Sequence, residues 1–455
     1  MLEIVFDTPL RVPQVRFFIL WGLALALVSC GATDDAASLG DADAPATPSP
    51  YLYLWAGDAD AAEGDSDFLA VVDADPESPT YGSVLGTAPV GSAGNDPHHA
   101  EPIAPSDGPL FVNGFSANRT FLFDLSSRGE PAFVRELQKV PGFEYPHSFY
   151  RLENSHVLAT FQRGDGSRPG DTGGLAEFDA DGALVRVTSA ADPDFEGRMI
   201  RPYAIEVFPE VDRVLTTSNA MPLIDPETGG FIFERAENVL QLWRLSDLSL
   251  LVTLTLPPLP PAEEPECFIE DLMTGKDCTP SRIAGHNRPF EIRTLLDGSA
   301  ILNTFACGIY RIHAIDTDEP RVDMLMNWPE KAGCSVPTMV GKFEVLPIML
   351  ANEIVTLDVS DPTSPVEVAR LTFDEAFMPH WAQVDPDTYR IAVTGIGADT
   401  GQVFMYWVDP DTGELTPDEA FGQVDGLGKG FSMTRDEWPH GPTGPAVPHA
   451  ALFGR

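Results

Sequence analysis

The stretch IVTLDVSDPTSPVEVARLTF, residues 354–373, sets an apolar run, a turn of Asp, Pro, Thr and Ser, and a second run in which apolar and polar residues alternate. Val, Ile, Leu and Thr at this density favour strands, and the residues between them supply turn chemistry. The same plan recurs in DFLAVVDADPESPTYGSV (67–84), LAEFDADGALVRV (175–187), LQLWRLSDLSLLVTLTL (240–256), IYRIHAIDTDEPRVDML (309–325) and VFMYWVDPDTGELT (403–416). Shorter runs such as PLFVNGF (109–115), TFLFDL (120–125), HVLATF (156–161), RVLTTS (213–218) and RIAVTG (390–395) fall between them, bounded by Gly, Pro, Asp or Asn.

With 42 prolines and 39 glycines, long helices are not expected. The repeats predict an all-β fold, a single β-propeller over residues 51–455, at about 50 to 60 residues per blade. Seven blades is the expected number. A propeller also accounts for a long chain without a domain boundary, because each sheet is buried between its neighbours. The main insertion is the Pro- and Glu-rich loop 257–282.

The N-terminus reads as an export signal. Arg11 and Arg16 precede an apolar run at 17–28, too short to span a bilayer, which ends in Leu27, Val28, Ser29 and Cys30. That ending looks like a bacterial lipobox, so residues 1–29 are expected to be removed and Cys30 to carry lipid. Residues 30–50 hold no large apolar side chain except Leu39 and read as a flexible acidic tether. The expected location is a bacterial membrane surface facing periplasm or exterior, with the lipid as the only membrane contact.

Four further cysteines, Cys267, Cys278, Cys307 and Cys334, are disulfide candidates in an exported chain. Cys267 and Cys278 flank one loop and would clamp it, leaving Cys307 and Cys334 for a second bridge, although four cysteines allow three connectivities. No CxxC or CxxCH occurs.

Asp and Glu number 69 against 28 Lys and Arg, a formal net charge of -41. Such a surface repels phosphate backbones, which excludes nucleic acid as a partner. A phosphate loop, an HExxH zinc motif and a GxSxG elbow are absent. The Asp-rich turns at 73–77, 358–362 and 409–414 offer calcium as an alternative ion, but turn formation explains them and their spacing fails the EF-hand loop.

Only nine histidines are present, and His98 and His99 are adjacent. The doublet, with His147, His380 and His449 at polar turns, suggests a metal site assembled from distant segments. His286 is a weaker candidate; His156 and His313 read as ordinary strand residues.

The segment 67–84 with His98 and His99 after it resembles the opening blade of the selenium-binding protein family, whose bacterial members include methanethiol oxidase. YPHSFYRLENSHVLATF (145–161), RPYAIEVFPEVDRVLTTSN (201–219), RPFEIRTL (288–295) and VTLDVSDPTSPVEVARL (355–371) resemble successive family blades, and GPTGPAVPHAALFG (441–454) resembles its closing segment. The resemblance implies a propeller holding copper near its central channel and, in methanethiol oxidase, oxidation of a small thiol by oxygen to formaldehyde, hydrogen sulfide and hydrogen peroxide. By motif position it implies His98, His99, His147 and His449 as ligands, with His380 as an added ligand or a donor behind them and Trp381 as a shield. The family's cysteine pair after the doublet is missing, and Tyr150 stands where the family has a further histidine.

Thiol oxidation needs an open coordination position and groups that manage protons. Glu101, Tyr145, Glu291 and Arg293 are candidates for that role. The competing readings are a non-catalytic propeller that binds a ligand or protein, and a propeller lactonase or related hydrolase using a divalent cation.

Overall fold

The protein is described from a computed structural model, over residues 47–59, 64–166, 171–224, 231–260, 267, 271, 278, 279, 282, 287–373, 377–397, 401–422 and 430–455. All belong to one compact unit, residues 46–455. The apolar run 17–28, Cys30, most of the tether and His286 lie outside the described residues.

Among the described residues the strands form seven larger sheets of a seven-bladed propeller, as the repeats predict. The stretch 354–373 is a hairpin: Glu353–Asp358 pairs antiparallel with Val366–Thr372, with Asp358 opposite Val366. Its turn is made by its acids, since Asp358 Oδ1 accepts the Ser360 N–H at 2.9 Å and Asp361 Oδ1 the Thr363 N–H at 2.9 Å. The Ser360 and Thr363 hydroxyls, which donate to the same oxygens at 2.5 and 2.6 Å, and then these N–H groups hold both carboxyls below their usual range. Asp409 does the same for Asp411 and Thr412, so the Asp-rich turns are occupied by their own backbone.

The first strand of each sheet touches those of neighbouring sheets and so lines the central channel. These inner strands are Pro97–Ala100, Phe143–Arg151, Pro202–Phe208, Pro289–Thr294, Thr338–Val340 and Phe377–Val384 for blades two to seven. Blade one takes its inner strand from the other end of the chain: Ala446–Gly454 pairs with Tyr51–Asp58, closing the ring and leaving no free inner edge. Second strands such as Leu110–Gly114 and Phe343–Ile348 are buried throughout because neighbouring blades cover both faces, which is why they read as largely apolar runs. Outer strands such as Val366–Thr372 alternate exposed and half-buried residues.

The folded unit includes part of the segment read as tether. Ser49 is buried, and its N–H and hydroxyl donate to Asp385 at 2.9 and 2.6 Å. Arg390, wholly buried, pairs with Asp385 at 2.9 Å and donates to the Ser49 and Ala74 carbonyls at 2.9 and 2.6 Å. Disulfides join Cys267 to Cys278 in the loop between blades four and five, and Cys307 to Cys334 at the junction of blades five and six.

Candidate metal centre

A repeated irregularity builds the site. In six inner strands a proline is followed by a β-bulge whose surplus residue is aromatic: His98 and His99 after Pro97, His147 after Pro146, Tyr203 after Pro202, Phe290 after Pro289, His380 after Pro379 and His449 after Pro448. Proline gives up a ladder hydrogen bond, and a bulge leaves further backbone groups unpaired and re-aims the side chain.

The unpaired backbone is caught by second-strand side chains that also reach the next blade. Asn113 accepts the His99 N–H at 2.6 Å and donates to the Pro146 and His147 carbonyls at 2.7 and 3.1 Å. Thr160 accepts the Ser148 N–H at 3.0 Å and donates to the Tyr203 carbonyl at 2.7 Å. Thr217 accepts the Ala204 N–H at 3.0 Å and donates to the Phe290 carbonyl at 2.8 Å. Each of these three clips bonds its own bulge and ties it to the bulge of the next blade.

Histidines from four strands meet as a result. His98 Nε2 lies 3.2 Å from His147 Nε2, and one donor atom each of His98, His99 and His147 falls within a 4.8 Å group. The His449 ring stands 4.2 Å from that of His98 between centroids, and His380 4.6 Å from that of His449. Ser148 Oγ sits between His147 Nδ1 at 3.0 Å and His99 Nδ1 at 3.3 Å, which leaves both Nε2 atoms available. Ser335 Oγ holds His380 Nδ1 at 2.5 Å. Tyr203 stacks on His147 at 3.8 Å, Phe115 packs on His98 at 5.6 Å, and Trp381 meets His99 edge-on at 4.9 Å.

Four of the five imidazoles are buried and His449 is half-buried, and burial is the largest cause lowering their pKa values, reinforced by other histidines for His98, His99, His147 and His380. His449 is lowered to about 4, with a hydrogen bond to the His98 backbone opposing the fall. Neutral imidazole is the form that binds metal. Among the buried nitrogens, His99 Nε2 and His449 Nδ1 have no protein partner. A group of buried neutral nitrogens, two of them unpartnered, suits an imidazole-binding ion such as Cu(II). With bonds near 2 Å, ligands to one ion stand no more than about 4 Å apart; His98 and His147, at 3.2 Å, are inside that limit, and the trio, grouped within 4.8 Å, would have to draw together slightly around an ion.

A cavity of about 290 Å³ reaches this cluster from the side where the inner strands end. His99 and Trp381 lie at its floor, Ile103, Phe149, Ile205 and Met339 supply apolar wall, and Glu206, Glu291 and Arg293 supply charge. Of the four proton-managing candidates, then, Glu291 and Arg293 line the cavity. Glu101 is instead engaged by Arg151 at 2.7 and 2.8 Å and accepts the Phe111 N–H at 2.9 Å. Tyr145 packs on Phe115 under the Arg163 guanidinium. His156 pairs with Glu177 at 2.6 Å and His313 with Asp323 at 2.8 Å, away from the cluster.

Ser148, Ser335, Asn113, Tyr203 and Glu344 were not singled out from sequence. The signal for part of this set is present: DPHH, YPHS, RPYA, RPFE, MPHW and VPHA place an aromatic or histidine directly after proline in six of the seven inner strands. Nothing comparable marks Glu344, a fully buried acid whose two oxygens have no protein partner.

The sequence is 26% identical over 223 residues to a methanethiol oxidase of Hyphomicrobium, covering 46% of this chain and 49% of that protein. It is 29% identical over 147 residues to a methanethiol oxidase of Ruegeria pomeroyi, covering 30% of this chain and 31% of that one. Over these stretches the chain resembles the selenium-binding protein and methanethiol oxidase family. The matched stretches span about half or less of these curated relatives. No family model matches the chain. Among solved structures, a hypothetical selenium-binding protein of Sulfolobus tokodaii superposes with a TM-score of 0.67 at 15% identity, covering 90% of this chain and 94% of that one. A periplasmic gluconolactonase of Pseudomonas aeruginosa gives 0.55 at 14% identity, covering 89% and 99%. At such identities these neighbours show the fold alone.

Proposed function

We propose that the protein binds a copper ion through His98, His99, His147 and His449, with His380 behind His449, and oxidises a small thiol such as methanethiol with oxygen. The observation that carries this reading is the meeting of buried neutral imidazoles at the floor of a cavity, with His99 Nε2 lacking a protein partner. The relatives named methanethiol oxidase supply the substrate class.

When bound, copper supplies the redox couple that connects a thiol to oxygen. The chain's own residues prepare the place. Ser148 turns the His99 and His147 rings so that Nε2 faces the shared space, Ser335 fixes His380, and Asn113 holds the strands that carry His99 and His147 in register. Tyr203, Phe115 and Trp381 keep water from the imidazoles, which strengthens every polar interaction among them. The location belongs to the same proposal: export through residues 1–29 and anchorage through Cys30.

Metal analysis of the purified protein, followed by oxygen uptake with methanethiol, tests this function. Stoichiometric copper and thiol-dependent oxygen consumption are expected. Copper without oxygen uptake would leave a binding role, and calcium in place of copper would favour a hydrolase.

A further inference from the structure

Three carboxylates crowd one guanidinium at the cavity wall. Glu291 Oε2 accepts from Arg293 Nη1 at 3.0 Å, while Glu291 Oε1, buried, has no protein partner. Arg293 cannot swing away, since its Nε donates to the Pro337 carbonyl at 2.9 Å and its Nη1 to the Ile292 carbonyl at 2.6 Å. Glu206 lines the same cavity, but its Oε1 is taken by the Thr294 N–H and hydroxyl at 3.2 and 2.5 Å. Glu344 feels the same guanidinium from behind the wall. One cation cannot keep buried Glu291 and Glu344 and half-buried Glu206 all ionised in so small a volume, so the group retains a proton, which falls to Glu344, whose oxygens have no protein partner, and leaves Glu291 ionised beside Arg293. Glu291 is the member that lines the cavity, is held by Arg293 and has an oxygen to spare.

The remaining wall, Ile103, Phe149, Ile205, Met339 and Trp381, suits a short alkyl group. Even a cysteine thiol has a pKa near 8.5, and a simple alkanethiol is a weaker acid, so the substrate enters protonated and needs a base. Resting on the thiol reading above, we infer that this cavity receives the small thiol and that Glu291 takes its proton. The S–H bond breaks, an O–H bond forms on Glu291 Oε1, and the electron pair stays on sulfur at the His99 side. Negative charge passes from carboxylate to sulfur beside Arg293, so the charge of the cavity is unchanged.

Anaerobic calorimetric titration of the metal-loaded protein with methanethiol, in two buffers of different ionisation heat, reads affinity and proton release together. The wild type should bind thiol and release no proton to the buffer. Glu291→Gln should keep its metal and bind about ten-fold more weakly, and Glu291→Asp, which retains a carboxylate, should recover most of that affinity, as expected for a lost base. A full proton released by the wild type overturns the inference, as does Glu291→Gln matching wild type, Glu291→Asp failing to recover, or no thiol binding at all. Oxygen uptake in the same samples stands apart: binding with internal proton transfer but no oxygen consumption removes the oxidase function and leaves the cavity's role intact.

Discussion

His98 Nε2 and His147 Nε2 lie 3.2 Å apart although the residues are 49 positions apart in sequence. Two charged imidazoles would repel strongly at that distance, so the gap accommodates one proton or one metal ion. The consequences reach the metal, the ring closure and the buried acids.

Replacing either member of that pair should remove the metal. His98→Ala and His147→Ala are each expected to retain less than about a tenth of the wild-type copper, whereas His380→Ala, behind His449, should change affinity within the 10-fold to 100-fold range of supporting residues. Elemental analysis after dialysis measures this, and full copper in His98→Ala would refute the ligand set.

Asn113 tests whether the clip between blades positions the ligands. Its loss strands the His99 N–H and two carbonyls of blade three, a cost of about 2 to 3 kcal/mol, and should weaken metal binding about ten-fold. Chemical denaturation and metal competition on Asn113→Ala read the two effects separately.

Glu344 gives a pH signature of stability. Burial pushes its carboxyl from 4.5 up to about 7, with Arg293 opposing. Between those values the unfolded chain releases a proton that the folded chain retains, so stability attributable to this group falls as pH rises from 4.5 to 7 and then stays level. Glu344→Gln should match wild type near pH 4 and exceed it by up to about 3 kcal/mol at pH 8. Urea unfolding at the two pH values decides it; a pH-independent difference would show that folding leaves the Glu344 carboxyl unshifted.

The Cys307–Cys334 bridge links residues 27 apart in sequence, and both cysteines are fully buried. Its double serine variant should lose about 3 kcal/mol, because the unfolded chain regains the freedom of that loop. Removing Cys267–Cys278, 11 residues apart, should cost less. Thermal unfolding of both variants tests the order.

Much of the fold is legible because strands and turns are local. In residues 354–373 the apolar run marks a strand buried on both faces, the alternating run an outer strand, and the acids between them bond their own backbone. The histidine doublet stands out for the same reason, as does the apolar wall's Trp381 beside His380. The tether's end is less legible: Ser49 looks like any polar linker residue, and only Asp385 and Arg390, over 300 positions away, make it part of the fold. Glu101 and Glu291 are also alike in sequence. One is engaged by Arg151 and the other reaches the cavity, because they lie on strands whose neighbours differ.

By itself, then, the sequence determined the strands, their Asp turns, the proline that precedes the channel-facing residue in six of the seven blades, and the resemblance to selenium-binding proteins. The tertiary structure decided which imidazoles share a space, which acids face the cavity and which are left buried without partners. Strand and turn preferences arise between residues a few positions apart. Distances among His98, His147 and His449 depend on ring closure by Ala446–Gly454 and on clips between blades, which act only once the whole circle has formed.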